Sequence, residues 1–131
     1  MVFVDTGAWF ALTVQSDPDR KSAKEFISRN REPLLTSDYI VDELLTLFVV
    51  RGEKAKGVEW LRDVLEGNGV ELVRIDSELF LEACRVYRQF ADKAWSFTDC
   101  TSYVAMRHLN IENALSFDEH FRQFGTVPIL P

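Results

Sequence analysis

Short apolar runs recur along the chain, and long stretches with helical spacing fill most of the gaps between them. The runs are VFVD at 2–5, LLTS at 34–37, VELVRI at 70–75, ENALSF at 112–117 and TVPIL at 126–130. This alternation constrains the fold more than any other feature. Gaps that hold a helix or two cannot close as hairpins, so the strands they connect must lie parallel, with helices crossing over the sheet. The pattern therefore predicts an α/β fold with about five short parallel strands covered on both faces. The last strand belongs at an edge, because Pro128 has no N–H to donate to a central ladder.

Helical stretches fill the gaps. An apolar segment at 7–14 is predicted to form a short helix or turn. Pro18 suits the first turn of a helix capped by Asp17 and running to about Asn30, with Ala23, Phe26 and Ile27 inward and Arg20, Lys24 and Arg31 outward. Ile40, Val41, Leu44, Leu45, Leu47 and Phe48 mark a helix over 38–50, which Arg51 and Gly52 end. Another helix is expected over 53–66, closed by Gly67, Asn68 and Gly69. Asp76 is placed to cap a helix over 77–91 with Leu79, Phe80, Ala83, Val86, Tyr87 and Phe90 on its core face. Thr98 is expected to cap a helix over 99–108, and 118–124 forms a last short one.

With 131 residues, 47% of them hydrophobic, the chain can bury a core as a single domain spanning 1–131. No apolar run approaches the roughly 20 residues that span a bilayer, and no secretory leader is recognisable, so a cytoplasmic protein with no membrane partner is expected. Two cysteines, Cys84 and Cys100, are too few for a disulfide framework. A net charge of −6 argues against a basic-stripe polyanion binder. Local basic clusters nevertheless occur at Arg20, Lys21 and Lys24, at Arg29 and Arg31, and at Arg51, Lys54 and Lys56, although for any one cluster an ordinary solvated helix face is the favoured reading.

The first strand stops on a carboxylate, Asp5, followed by Thr6 and Gly7. In open parallel sheets, ligands bind beyond the carboxyl ends of the strands, where strand order reverses. Three further acids have comparable positions. Glu43 falls beside Leu47, about 40° beyond the edge of the apolar stripe of its helix, whereas Asp42 faces solvent. Asp99 lies in the first turn of a helix in WSFTDC, and Asp118 directly follows a strand in LSFDEHF. Singly, each acid could be a cap or a helix-dipole partner. Four carboxylates at one sheet end would repel one another in a partly dry cleft unless cations neutralise them. All-oxygen ligands without a nearby His or Cys favour Mg²⁺ or Mn²⁺ over zinc.

The order VFVDT, then DEL on a helix, then SFTDC, then LSFDEHF resembles the PIN-domain family, and within it the VapC-like toxin ribonucleases of toxin–antitoxin pairs. The likeness runs over nearly the whole chain. It implies a PIN-like three-layer α/β/α sandwich and an endoribonuclease that cleaves RNA with Mg²⁺ or Mn²⁺ bound by Asp5, Glu43, Asp99 and Asp118. Thr6 and Thr98 match hydroxyl residues that often stand beside the first and third acids, where they could orient a carboxylate or a water. The resemblance also implies a homodimer and a cognate antitoxin. The antitoxin segment would lie in a groove between the helices at 20–30, 38–50 and 53–66, with Phe48, Val49, Val50 and Trp60 as exposed apolar residues.

Competing chemistries fit less well. A haloacid-dehalogenase-like phosphatase needs a second Asp where Gly7 stands. A Cys100 nucleophile with His108 or His120 has no accompanying oxyanion feature. A catalytically silent PIN-like binding or dimerisation module is the alternative from a different class, and the acids at all four positions speak against it.

Overall fold

The computed structural model describes residues 1–124 and 129–130. Five strands, β1 (Val2–Val4), β2 (Leu34–Ser37), β3 (Val70–Val73), β4 (Asn113–Leu115) and β5 (Ile129–Leu130), form one sheet in the order β3-β2-β1-β4-β5. Every neighbouring pair is parallel. Strand β1 is central, with Phe3 in register with Leu35 on one side and Ala114 on the other. Val2, Phe3 and Val4 are all buried, as expected for a strand covered on both faces.

Seven helices connect the strands: α1 (Thr6–Thr13), α2 (Arg20–Arg29), α3 (Asp38–Val50), α4 (Lys54–Glu66), α5 (Ser77–Gln89), α6 (Phe97–Leu109) and α7 (Glu119–Arg122). The chain steps outward from β1 to β3 and then returns across the sheet to β4 and β5. Right-handed crossovers therefore put α1 to α4 on one face and α5 to α7 on the other. The helix pairs agree, since α1 packs on α2 and α3, α3 on α4, and α5 on α6. The result is the expected three-layer sandwich.

Aromatic residues fill both interlayer spaces. Trp9 meets Trp60 edge-on at 5.4 Å and Phe10 meets Phe48 at 5.5 Å, joining α1 to α3 and α4. On the other face Phe121 stacks on Phe3 at 6.2 Å, and Trp95 meets Phe124 at 5.1 Å. Gly57 lets α4 approach α3 closely, because a Cβ there would stand 3.0 Å from the Phe48 ring. Phe48 and Trp60 are thus core residues and not the exposed ones anticipated, while Val49 and Val50 do face solvent at 56% and 73% exposure.

Other boundaries moved for identifiable reasons. The Asp17 carboxylate accepts from the backbone N–H of Asp19, a local turn that delays α2 to Arg20. Asp76 caps α5 as expected through the Leu79 N–H, but Phe80 and Tyr87 are exposed. They gather with Tyr39 around the half-buried Phe97. The cap of α6 is Ser96, not Thr98. Ser96 Oγ accepts from the Asp99 N–H, and the Asp99 carboxylate accepts from the Ser96 N–H, a reciprocal capping box that leaves Thr98 inside the first turn. The last strand pairs with β4 at the sheet edge over Ile129–Leu130, and the expected portion at 126–128 lies outside the described residues.

Candidate active site

Strand order reverses between β1 and β4, and the chain leaves both strands into the same space. The Asp5 N–H donates to the Leu115 carbonyl at 3.0 Å, extending the parallel ladder by one residue before α1 begins. Asp5 is consequently held at the sheet end with only 5% of its surface exposed. Ser116, just past β4, donates its hydroxyl to Asp5 Oδ2 at 2.9 Å, and Ser116 Oγ in turn accepts the Asp118 N–H at 3.0 Å. One side chain thus fixes the first acid and the approach to the fourth.

Burial pushes the Asp5 carboxyl up from 3.8 to about 7, and the neighbouring Asp99 and Asp118 carboxylates push the same way. The Ser116 hydroxyl and the Thr6 backbone hydrogen bond oppose this. A group so placed holds either a proton or a cation near neutral pH. The repulsion expected from clustered acids is present, but loss of water is the larger cause.

Glu43 reaches the cleft from α3, and Thr6 in the first turn of α1 donates its hydroxyl to Glu43 Oε1. Asp99 projects from the first turn of α6, a helix whose buried residues also include Cys100, Thr101, Ser102, Val104, Ala105 and Met106. Asp118 caps α7 by accepting the His120 N–H at 2.8 Å. All four acids expected from the sequence line one cleft of about 910 Å³, together with Thr6, Ser96, Glu119 and His120. Thr98 is not among its lining residues, and Ser96 takes the place expected for it. No Lys or Arg lines the cleft among the described residues. A second hollow of about 550 Å³ lies at the opposite end of the sheet, beside Val2 and Asn113, and contains no comparable acid cluster.

The donor set differs from expectation in one respect. His120 Nδ1 stands 3.3 Å from Asp99 Oδ2 and 3.5 Å from Asp118 Oδ1. Asp99, Asp118 and His120 each offer an atom within 4.8 Å of the others, so the cluster is not all-oxygen. Its carboxylates suit a hard divalent cation, and the imidazole also admits softer first-row ions. Cys100 is excluded as a nucleophile on geometry and chemistry: it is buried, and burial with Asp99 nearby pushes its thiol up to about 11.

Residues 2–127 match the family model of the PIN domain. The chain belongs to this family. Among curated PIN relatives it is 29% identical over 132 residues to the 23S rRNA-specific endonuclease VapC20 of Mycobacterium tuberculosis, covering 100% of this chain and 99% of the relative. It is 26% identical over 121 residues to the Mycobacterium tuberculosis ribonuclease VapC26, covering 92% and 89% of the two chains. The crystal structure of Mycobacterium tuberculosis VapC20, a sarcin-ricin loop cleaving toxin, superposes with a TM-score of 0.92 at 27% identity over 100% of both chains. A chain in a toxin–antitoxin complex from Klebsiella pneumoniae shares the PIN fold at a TM-score of 0.69 and 11% identity, covering 100% of this chain and 97% of that one.

Proposed function

We propose that this PIN domain is a divalent-metal-dependent endoribonuclease and the toxin of a toxin–antitoxin pair, acting in the cytoplasm as a homodimer of single-domain chains. The observation that carries the proposal is the convergence of Asp5, Glu43, Asp99 and Asp118 on one cleft at the reversal of strand order. Asp5, Asp99 and Asp118 would hold Mg²⁺ or Mn²⁺, with Glu43 as a further ligand or a base for water. Such an ion supplies a Lewis acid for a phosphoryl oxygen and a water acidic enough to attack near neutral pH.

The remaining work falls to the protein. Ser116 orients Asp5, the Ser96 N–H orients Asp99, and Thr6 turns Glu43 inward. A carboxylate-lined cleft repels a phosphodiester, so RNA enters only with its charge offset by bound cations. The same negative cleft is complementary to an Arg or Lys presented by an antitoxin, whose apolar segment would cover Val50 at the cleft rim and Val49 beside it. VapC20 makes the sarcin-ricin loop of 23S rRNA the first substrate to try.

The test is incubation of purified protein with a sarcin-ricin loop oligonucleotide and with ribosomes, in Mn²⁺, in Mg²⁺ and in EDTA. Discrete cleavage that requires metal and disappears in Asp5→Asn supports the reading. Tight antitoxin binding with no cleavage of any RNA would instead identify a silent binding module.

A further inference from the structure

We propose that His120 is a nitrogen ligand of the metal centre and tilts its preference from Mg²⁺ toward softer first-row ions. This rests on the metal-dependent nuclease reading above and adds a residue to it. Two neighbouring ligands about 2.1 Å from one octahedral ion stand about 3 Å apart. Nδ1 of His120 lies 3.3 Å from Asp99 Oδ2 and 3.5 Å from Asp118 Oδ1, close to that spacing in both directions. The same distances are long for charge-assisted hydrogen bonds, which close to about 2.7–2.9 Å, and a single N–H cannot point along both. The imidazole is therefore better placed as a third donor around a shared point than as the partner of either acid.

The backbone holds it there. Asp118 accepts the His120 N–H and fixes the start of α7, and the next residue, Phe121, is fully buried against Phe3 and Phe124. His120 itself stays partly open to the cleft, with 34% of its side chain exposed. A small imported ion could reach it without rearrangement of the core. Carboxylates bind Mg²⁺ and Mn²⁺ readily, whereas an imidazole contributes little to Mg²⁺ and much to the later first-row ions. His120 should thus act on selectivity more than on binding as such.

Calorimetric titration of the full chain with Mg²⁺ and with Co²⁺, in the parent, His120→Ala, His120→Gln and Asp5→Asn, separates the possibilities. The parent should bind both ions. Both His120 variants should weaken Co²⁺ by at least about tenfold while changing Mg²⁺ by no more than about twofold. The visible absorption of bound Co²⁺ should shift in both variants as a nitrogen donor is replaced by water or an amide oxygen. Equal Co²⁺ affinity and an unchanged spectrum would overturn the assignment while leaving the metal-centre reading intact. Failure of the parent to bind any ion, or parent-like binding by Asp5→Asn, would overturn the metal-centre reading itself and His120's place in it.

Discussion

Neutralising the buried acid of the site should stabilise the metal-free fold, and by an amount that depends on pH. Asp5 titrates near 7 in the folded chain against 3.8 in the unfolded one, because burial disfavours its charge. The folded state therefore keeps a proton that the unfolded state has released across the window from about 4 to 7. Stability falls as pH rises through that window, and the full penalty applies above it. At about 1.4 kcal/mol per pH unit the penalty is on the order of 4 kcal/mol at pH 8. Asp5→Asn removes it while retaining an oxygen to accept from Ser116. Melting in metal-free buffer should show the variant more stable than the parent by at least about 2 kcal/mol at pH 8, worth several degrees in Tm for a chain of this size. Near pH 4.5 the difference should shrink to about 1 kcal/mol. Mn²⁺ should then raise the parent's Tm by mass action, and the variant's far less. A variant less stable than the parent at pH 8, or a difference that does not change between pH 8 and 4.5, would refute the picture of a charge held against its solvation.

Ser116→Ala removes the donor to Asp5 and the acceptor of the Asp118 N–H; cleavage should fall about tenfold or more, with a loss of roughly 1 kcal/mol in urea melts. Thr6→Val keeps the shape but releases Glu43, so RNA cleavage in Mn²⁺ should drop by about 10- to 100-fold while Tm stays within a few degrees. Gly57→Val drives a branched side chain into Phe48 and should cost about 1–3 kcal/mol in denaturant midpoint, with metal affinity of the residual folded protein unchanged. Asp99→Asn should lower Mn²⁺ affinity sharply in calorimetry yet spare most of the helix cap, because an amide oxygen still accepts the Ser96 N–H.

The layer order was legible because each strand is a short apolar run and each gap carries a helical period, two signals that agree along most of the chain. The four acids were legible for a related reason: strand ends and first helical turns can be located from one sequence, and parallel topology then gathers them. His120 was not, since its position depends on the burial of Phe121 against Phe3, a contact between distant parts of the chain. Ser116 meets Asp5 across a separation of 111 residues, which no local pattern encodes. Ser96 did leave a signal. A serine three residues before an acid is the spacing of a reciprocal cap, whereas Thr98 merely adjoins Asp99. Phe80 and Tyr87 fell on an apolar stripe but outside the area the sheet can cover, so periodicity alone could not tell core from surface.

Asp99 Oδ2 accepts the Ser96 N–H and also faces His120, so one atom belongs both to the end of a helix and to the mouth of the cleft. Helix ends open and close locally far more often than whole domains unfold. Each opening of the first turn of α6 would carry Asp99 away from Asp5 and Asp118, and an ion that spans these acids must suppress it. Hydrogen exchange at the amides of Asp99 and Cys100, which are bonded to Ser96, should therefore slow when the ion binds. Occupancy of the site becomes visible in the backbone, with no RNA present and nothing cleaved.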